Sequence, residues 1–375
     1  MKRIRVLHLR DTNVLCGPGK TILESIRLNP DDDIEYEVGA FEVTGGNEYL
    51  RTVQPYAPTL SLPASKTRLL GTARLLASRV RERGYDLVHP HDFKTRALCA
   101  LAARHVEWPP ELTTIHGLID VGWKGTLYNR IDVNFIRRSA RVFMVSEAMR
   151  ALIAKWRLDP ARVDVVRNRI VLDRYPFDER DEAVRRELGW TDARFVIGCV
   201  GRLSAEKGQE ALIRTFHGLP AELDWGLVLA GDGPDRERLE RLARQGPASD
   251  RIALLGHRRD VRAVYGTLDL LVLNSFTEGL PNVVLEAMAL GVPVVATAVG
   301  GTPECIPDRD VGWLIPPGNE RALRDALLEA GASGAERERR RRGARARVER
   351  EFDMHGLVRQ THTIYRQLLQ RETVA

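Results

Sequence analysis

The chain has 375 residues, 43% hydrophobic and 29% charged, with 31 glycines, 19 prolines and 6% aromatics. That length suits two packed domains and that composition a globular protein, which excludes a disulfide-stapled miniprotein, a disordered chain and a fibre. The formal charge is +6, but only seven of the 57 basic residues are lysine, so the excess follows an arginine-heavy usage and by itself points to no nucleic-acid partner.

Four cysteines, Cys16, Cys99, Cys199 and Cys305, are far apart and form no CxxC pair, so neither a zinc site nor a disulfide framework is indicated and a reducing, cytoplasmic location fits. Residues 1–9 (MKRIRVLHL) alternate basic and apolar residues as a strand does and lack the long apolar core of a signal peptide. The most apolar stretch, Val283 to Val299, is interrupted by Glu286, Gly291 and Pro293, so no transmembrane segment is expected.

Short runs of Val, Leu and Ile alternate with longer periodic segments, the signature of strand-helix-strand units on a parallel sheet. In the first half the predicted strands are Ile4 to Leu9, Tyr36 to Phe41, Asp86 to His89, Leu112 to His116 and Val142 to Val145. After the first comes Gly17-Pro18-Gly19-Lys20-Thr21, which mimics the end of a phosphate-binding P-loop. Val14 stands where that motif needs its first glycine and Pro18 removes an amide, so the P-loop reading fails. A glycine turn before a helix starting near Lys20 remains, able to face an anion or simply to turn the chain. Asp31 to Asp33 matches a bare DxD metal pattern, as does Asp308-Arg309-Asp310, but both have the composition of solvated turns.

Ser65 to Arg83 places Leu69, Leu76 and Val80 near one helical face, with Leu70 and Leu75 close by and Lys66, Arg68, Arg74, Arg79, Arg81 and Arg83 to flank them. Such a segment can lie on an anionic membrane; the alternative is an ordinary helix burying its leucines on a sheet. Asp173 to Asp192 is polar, lacks a strand and is taken as the domain boundary. Beyond it the rhythm restarts with Phe195 to Val200, Leu227 to Ala230, Ile252 to Leu255, Leu268 to Leu273 and Pro293 to Ala296. The Arg-rich Glu336 to Glu351 reads as a solvated helix, and Phe352 to Leu369 as a closing amphipathic helix.

Open parallel sheets bind ligands beyond the carboxyl ends of their strands. After Phe195 to Val200 comes Gly201-Arg202-Leu203-Ser204-Ala205-Glu206-Lys207-Gly208, with two cations that can neutralise a diphosphate. The segment Glu278 to Gly291 (EGLPNVVLEAMALG) reads as a loop, a helix with Pro281 in its first turn, and a stop at Gly291. Glu278 precedes that helix and Glu286 lies about 7 Å along it. A nucleotide sugar, with hydroxyls at both ends and a diphosphate between, matches this order of groups.

These two motifs and their EX7E spacing resemble the retaining GT-B glycosyltransferases of family 4, the glycosyl transferases group 1. Gly231-Asp232-Gly233-Pro234, Val299 to Glu304 and Gly312 to Gly318 continue the likeness. Before residue 180 it is looser, resting on Gly17-Pro18-Gly19, His89-Pro90-His91-Asp92, Thr114 to Gly117 and Val145-Ser146-Glu147. The resemblance implies an α/β chain with two Rossmann-like doubly wound domains facing a central cleft. These are an acceptor domain at 1–178, a nucleotide-sugar domain at 179–352, and a crossover helix at 353–375 that packs back on the first domain.

The resemblance further implies that Arg202 and Lys207 hold the donor diphosphate, Glu286 the ribose, and Glu278 hydroxyls of the transferred sugar, assisted by amides at Gly279 and Leu280. His116 would approach the donor sugar, Gly17 and Gly19 would admit the phosphates, and His91 and Lys94 would lie on the acceptor side. His116, Arg202, Lys207 and Glu278 form the expected catalytic set. Relatives carry Asn-Gly where this chain has Asn168-Arg169, so a strained turn is expected if that position needs positive φ.

The expected reaction moves a sugar with retention from a nucleotide sugar, UDP-sugar first, to a glycan or lipid-linked hydroxyl. No cofactor and no metal are needed, because the two cations balance the diphosphate. Alternatives are a silent sugar-nucleotide-binding subunit of a polysaccharide assembly complex and a GT-B sugar-nucleotide epimerase.

Overall fold

In a computed structural model of the chain, residues 3–31, 33–64, 69–117, 122–190 and 194–372 are described. The apolar runs form parallel strands throughout, and the backbone divides into two units, residues 1–169 with 354–375, and residues 170–353.

The first unit holds β1 (Ile4–Arg10), β2 (Ile34–Phe41), β3 (Thr59–Leu62), β4 (Leu87–Pro90), β5 (Leu112–Ile115), β6 (Arg141–Met144) and β7 (Val163–Val165). They are ordered β3-β2-β1-β4 and β5-β6-β7, and a bridge between Val88 and Glu111 carries β4 on to β5. The second unit holds β8 (Phe195–Val200), β9 (Trp225–Ala230), β10 (Ile252–Gly256), β11 (Leu270–Leu273), β12 (Val294–Thr297) and β13 (Trp313–Ile315), ordered β10-β9-β8-β11-β12-β13. Each unit thus winds outward from its first strand in both directions. The strand order reverses between β1 and β4, and again between β8 and β11, and such switch points are where doubly wound sheets bind ligands.

Strands β3, β7 and β13 lie outside the predicted set. Thr59–Leu62 is short and abuts Pro58 and Pro63, while Val163–Val165 is interrupted by Asp164, which pairs with Arg141 of β6. The second unit begins at Ile170, so residues 170–178, assigned from sequence to the first domain, belong to it instead. Ile170 N donates to Phe352 O at 2.9 Å, Arg345 Nη1 to Tyr175 O at 2.7 Å, and Asp178 N to Leu290 O at 3.1 Å. Arg169 has no left-handed backbone, since Arg157 and Asp178 are the non-glycine residues at positive φ, so the expected strain is absent. The closing helix, Met354–Glu372, belongs to the first unit, where His362 and Tyr365 bond to Tyr36 and His89.

Of two basic helices, the first takes the second of its two readings and the second differs from expectation. Leu69–Arg83 buries Ala73, Leu76, Ala77 and Val80 against Leu7, Leu9 and Val88, so the apolar face offered to a membrane is spent on the unit's own sheet. Lys66 and Arg68 lie outside the described residues. Gly334–Glu351, expected to be solvated, buries Arg340, Ala344 and Val348. Arg340 is 1% exposed, stacks 4.0 Å over the Trp313 ring, and pairs with Glu329 and Glu336, which lets a guanidinium serve as core. Among the described residues no helix is long and apolar enough to cross a membrane.

Candidate active site

At the β8/β11 switch point the loop after β8 turns through a short helical segment, Ala205–Lys207, into the helix Gln209–His217. Gly208 makes that turn in the left-handed conformation, φ 64°. A Cβ there would come within 2.1 Å of the Asn274 carbonyl oxygen, and the Asn274 side chain donates to Gly208 O at 3.0 Å. The loop carrying Arg202 and Lys207 is therefore fastened to the end of β11. On that strand's exit loop, Glu278 Oε1 accepts from Lys207 Nζ at 2.6 Å and from Ser275 Oγ at 2.6 Å. Gly300, φ 52°, lets the chain after β12 pass the Glu278 carbonyl, and Gly301 N donates to Gly279 O at 2.6 Å.

Arg202 is exposed, and no ion pair holds its guanidinium among the described residues; its carbonyl accepts from Gln209 at 2.7 Å. The helix after Glu278 is Asn282–Leu290, with Pro281 extended just before it rather than in its first turn, and Gly291 ends it at φ 77°. Glu286 is 3% exposed and its Oε2 accepts from Tyr265 Oη at 2.8 Å. Leu280 is buried. Asn274, Ser275 and Tyr265 were missed from sequence; Ser275 stands three residues before Glu278, a signal that was legible, whereas Tyr265 reaches Glu286 only through tertiary packing.

In the first unit, β1 runs beside β4 with His8 opposite His89, and the chain beyond β4 and β5 adds His91 and His116. His116 Nε2 lies 3.1 Å from His91 Nδ1, and His91 Nε2 lies 2.9 Å from His8 Nδ1. His89 bonds Tyr365 Oη at 2.8 Å through Nδ1 and Thr114 Oγ1 at 2.8 Å through Nε2. These groups line a cavity of about 50 Å³ with Ser25, Tyr36 and Asn168. Burial, reinforced by neighbouring charges, holds His89, His91 and His116 well below the ordinary imidazole pKa and pushes His8 down to about 3, so all four are neutral near pH 7.

His91, expected toward the acceptor, is thus 6% exposed within this row. Lys94 pairs with Asp11 at 3.0 Å and sits 3.8 Å over the Phe41 ring. The helix Gly17–Arg27 starts at Gly17 rather than near Lys20, so Gly17 and Gly19 belong to its first turn, and neither has positive φ. A Cβ on Gly19 would approach the Tyr49 ring to 3.0 Å, a packing reason for glycine. Of the DxD matches, Asp31 bonds His362 and Arg366, Asp33 bonds Arg366, and Asp310 bonds Arg339. Asp32 lies outside the described residues.

The family profile described as Glycosyl transferases group 1 matches residues 180–347, and that described as Glycosyltransferase Family 4 matches residues 21–174. The chain belongs to this glycosyltransferase family. It is 28% identical over 307 residues to N-acetyl-alpha-D-glucosaminyl L-malate synthase of Bacillus anthracis, across 80% of this chain and 79% of that one. It is 25% identical over 341 residues, 87% of each chain, to the Escherichia coli UDP-Gal:alpha-D-GlcNAc-diphosphoundecaprenol alpha-1,3-galactosyltransferase. Among solved structures, Anabaena HepE in complex with UDP and glucose superposes with a TM-score of 0.86 at 21% identity, covering 97% of this chain and all of that one. The fold is GT-B, and the glycosyltransferase is an enzyme moving sugars from nucleotide-sugar donors; the silent-subunit and epimerase readings find no support among these relatives.

Proposed function

We propose that the enzyme transfers a sugar, with retention of anomeric configuration and without a metal, from a UDP-sugar to a hydroxyl of a glycan or lipid-linked acceptor. The observation that carries the donor assignment is the loop after β8, which presents the exposed Arg202 guanidinium and the Lys207 ammonium from one fastened backbone. A departing nucleoside diphosphate gains negative charge in the transition state, and two cations held in place stabilise that charge without having to reorganise. Glu278, bonded to both Lys207 and Ser275, is the group for hydroxyls of the transferred sugar, and Glu286, steadied by Tyr265, the group for the ribose.

Uridine is the favoured base because the galactosyltransferase relative is named for UDP-Gal and the HepE structure holds UDP. That relative is also named for a lipid diphosphate acceptor, whereas the Bacillus enzyme is named for L-malate, so the acceptor class rests on the former likeness. Metal independence is supported by the engagement of Asp31, Asp33 and Asp310 in ion pairs with cations of neighbouring helices.

A panel of UDP-, GDP- and ADP-sugars scored by thermal shift tests the donor, since a ligand bound only by the native state raises the melting temperature. A UDP-sugar is expected to give the largest rise, and turnover with it is expected to persist in excess EDTA. A larger rise with GDP- or ADP-sugars, or activity lost to EDTA and restored by Mg²⁺, overturns the corresponding part of the reading.

A further inference from the structure

His116 ends a row of buried imidazoles, and the row fixes which of its nitrogens carries the proton. Each neutral ring has one N–H, so a row of rings bonded nitrogen to nitrogen has only two consistent arrangements, with every proton directed inward from His116 or every proton directed outward to it. Burial keeps the rings neutral. His116 Nδ1, the last nitrogen of the row, is buried and has no hydrogen-bond partner among the described residues. An orphaned buried N–H is rarer and costlier than an orphaned acceptor, so Nδ1 carries the lone pair.

Every other proton then follows. His116 Nε2–H donates to His91 Nδ1 at 3.1 Å, and His91 Nε2–H to His8 Nδ1 at 2.9 Å. His8 Nε2–H faces Tyr365 Oη at a long 3.5 Å, the Tyr365 hydroxyl donates to His89 Nδ1 at 2.8 Å, and His89 Nε2–H to Thr114 Oγ1 at 2.8 Å. Each of the four imidazoles and the Tyr365 hydroxyl thereby donates its one proton within the row.

We propose that His91 and His8 are positioning residues that hold His116 in its Nε2–H tautomer, so that Nδ1 meets a substrate hydroxyl as an acceptor. The role rests on the reading above that His116 contacts substrate; the tautomer does not. The same cluster could be taken for a metal site, because ligand nitrogens of His8, His89 and His91 lie within 4.8 Å of one another. Those nitrogens are already spent on the bonds just described, and His8 and His89 both stack on His91, with ring planes 17° and 21° apart, instead of converging on a point.

The test is the ¹⁵N spectrum of histidine-labelled full-length protein at neutral pH, with His116 assigned by its loss in His116→Gln. The expected result is an Nε2–H tautomer for His116, His91 and His8. His91→Phe keeps a ring for stacking but removes both nitrogens; it is expected to mix the His116 tautomers and lower kcat about tenfold with donor KM little changed. His91→Gln can accept from His116 through its oxygen and donate to His8 through its nitrogen, and is expected to restore the tautomer and most of kcat.

An Nδ1–H or doubly protonated His116 in the wild type overturns the proposal, as does an unmixed tautomer in His91→Phe or one equivalent of bound metal. If His91→Phe does not fold, the wild-type spectrum and His91→Gln decide. An Nε2–H His116 in a protein that transfers no sugar supports the tautomer assignment and tells against the functional reading instead.

Discussion

Lys207 Nζ lies 2.6 Å from Glu278 Oε1 although the two residues are 71 apart in sequence, and the pair joins the loop after β8 to the loop after β11. Glu278 has only 9% of its side chain exposed and Lys207 25%, so the ammonium is partly open to a ligand while its partner is nearly shut in.

On the proposed role of Lys207, removing the ammonium takes away charge that stabilises the leaving diphosphate. Lys207→Ala is expected to lower kcat by about 10² to 10³ and also to lower the melting temperature, because it leaves the nearly shut-in Glu278 carboxylate without its cation. Arg202→Ala is expected to lower kcat substantially with a melting temperature near wild type, because that side chain is exposed and in no ion pair among the described residues. Steady-state kinetics with the donor found by thermal shift, beside melting curves, checks this; near-normal turnover in both variants sinks the diphosphate assignment.

Gly208→Ala puts a Cβ both into the left-handed region and 2.1 Å from the Asn274 carbonyl oxygen. The loop must then shift off β11, and a loss of at least about 2 kcal/mol is expected together with most of the activity. Denaturant titration measures the first and turnover the second. An active variant of wild-type stability would show that the loop is not fastened there.

Acid is expected to weaken the first unit. In the unfolded chain His8, His89, His91 and His116 protonate near pH 6.5, whereas in the folded unit burial delays this, for His8 to about 3. Their contribution is therefore full above pH 6.5 and shrinks as the pH falls from there toward 3, the range in which the unfolded state binds more protons. Glu111 works the other way, because burial pushes its carboxyl up to about 7 and its folded form favours the proton. One carboxyl is outweighed by four imidazoles. Urea titrations between pH 7.5 and 4.5 are expected to show stability declining with acid; a flat or rising profile contradicts the buried neutral row.

Leu76→Ala tests where the basic helix points. Leu76 is fully buried among Leu7, Leu9 and Val80, so truncation is expected to cost about 2–5 kcal/mol. A change below about 0.5 kcal/mol by chemical denaturation would return that leucine to the surface.

Glycine and proline punctuation made much of the second unit readable in advance. Gly201, Gly208 and Gly291 mark turns with positive φ, and the five predicted strands there match β8 to β12 within two residues. Local chemistry sufficed because the strands are continuous apolar runs, and three of them, β8, β9 and β10, are closed by a glycine at positive φ, Gly201, Gly231 and Gly256. The pairing of Arg202 and Lys207 on one loop, and the spacing from Glu278 to Glu286, were legible for the same reason: each is confined to a few consecutive turns of chain.

Contacts set by strand order were not legible. His8 meets His89 because β1 lies beside β4, and Tyr365 closes the row because the final helix returns to the first unit, a separation of 276 residues from His89. Charge and apolar patterns left Leu69–Arg83 open and misled for Glu336 to Glu351: leucines flanked by arginines suit a lipid surface or a sheet equally, and a buried arginine such as Arg340 looks solvated until Trp313 and two glutamates surround it. The amino-acid order by itself determined the doubly wound class, the loops that follow β8 and β11 and the glycosyltransferase family, all of which depend on short-range patterns. Which faces are covered, which carboxylates are already paired and which way the imidazole protons run depend on neighbours brought from far along the chain, and only the tertiary structure decided them.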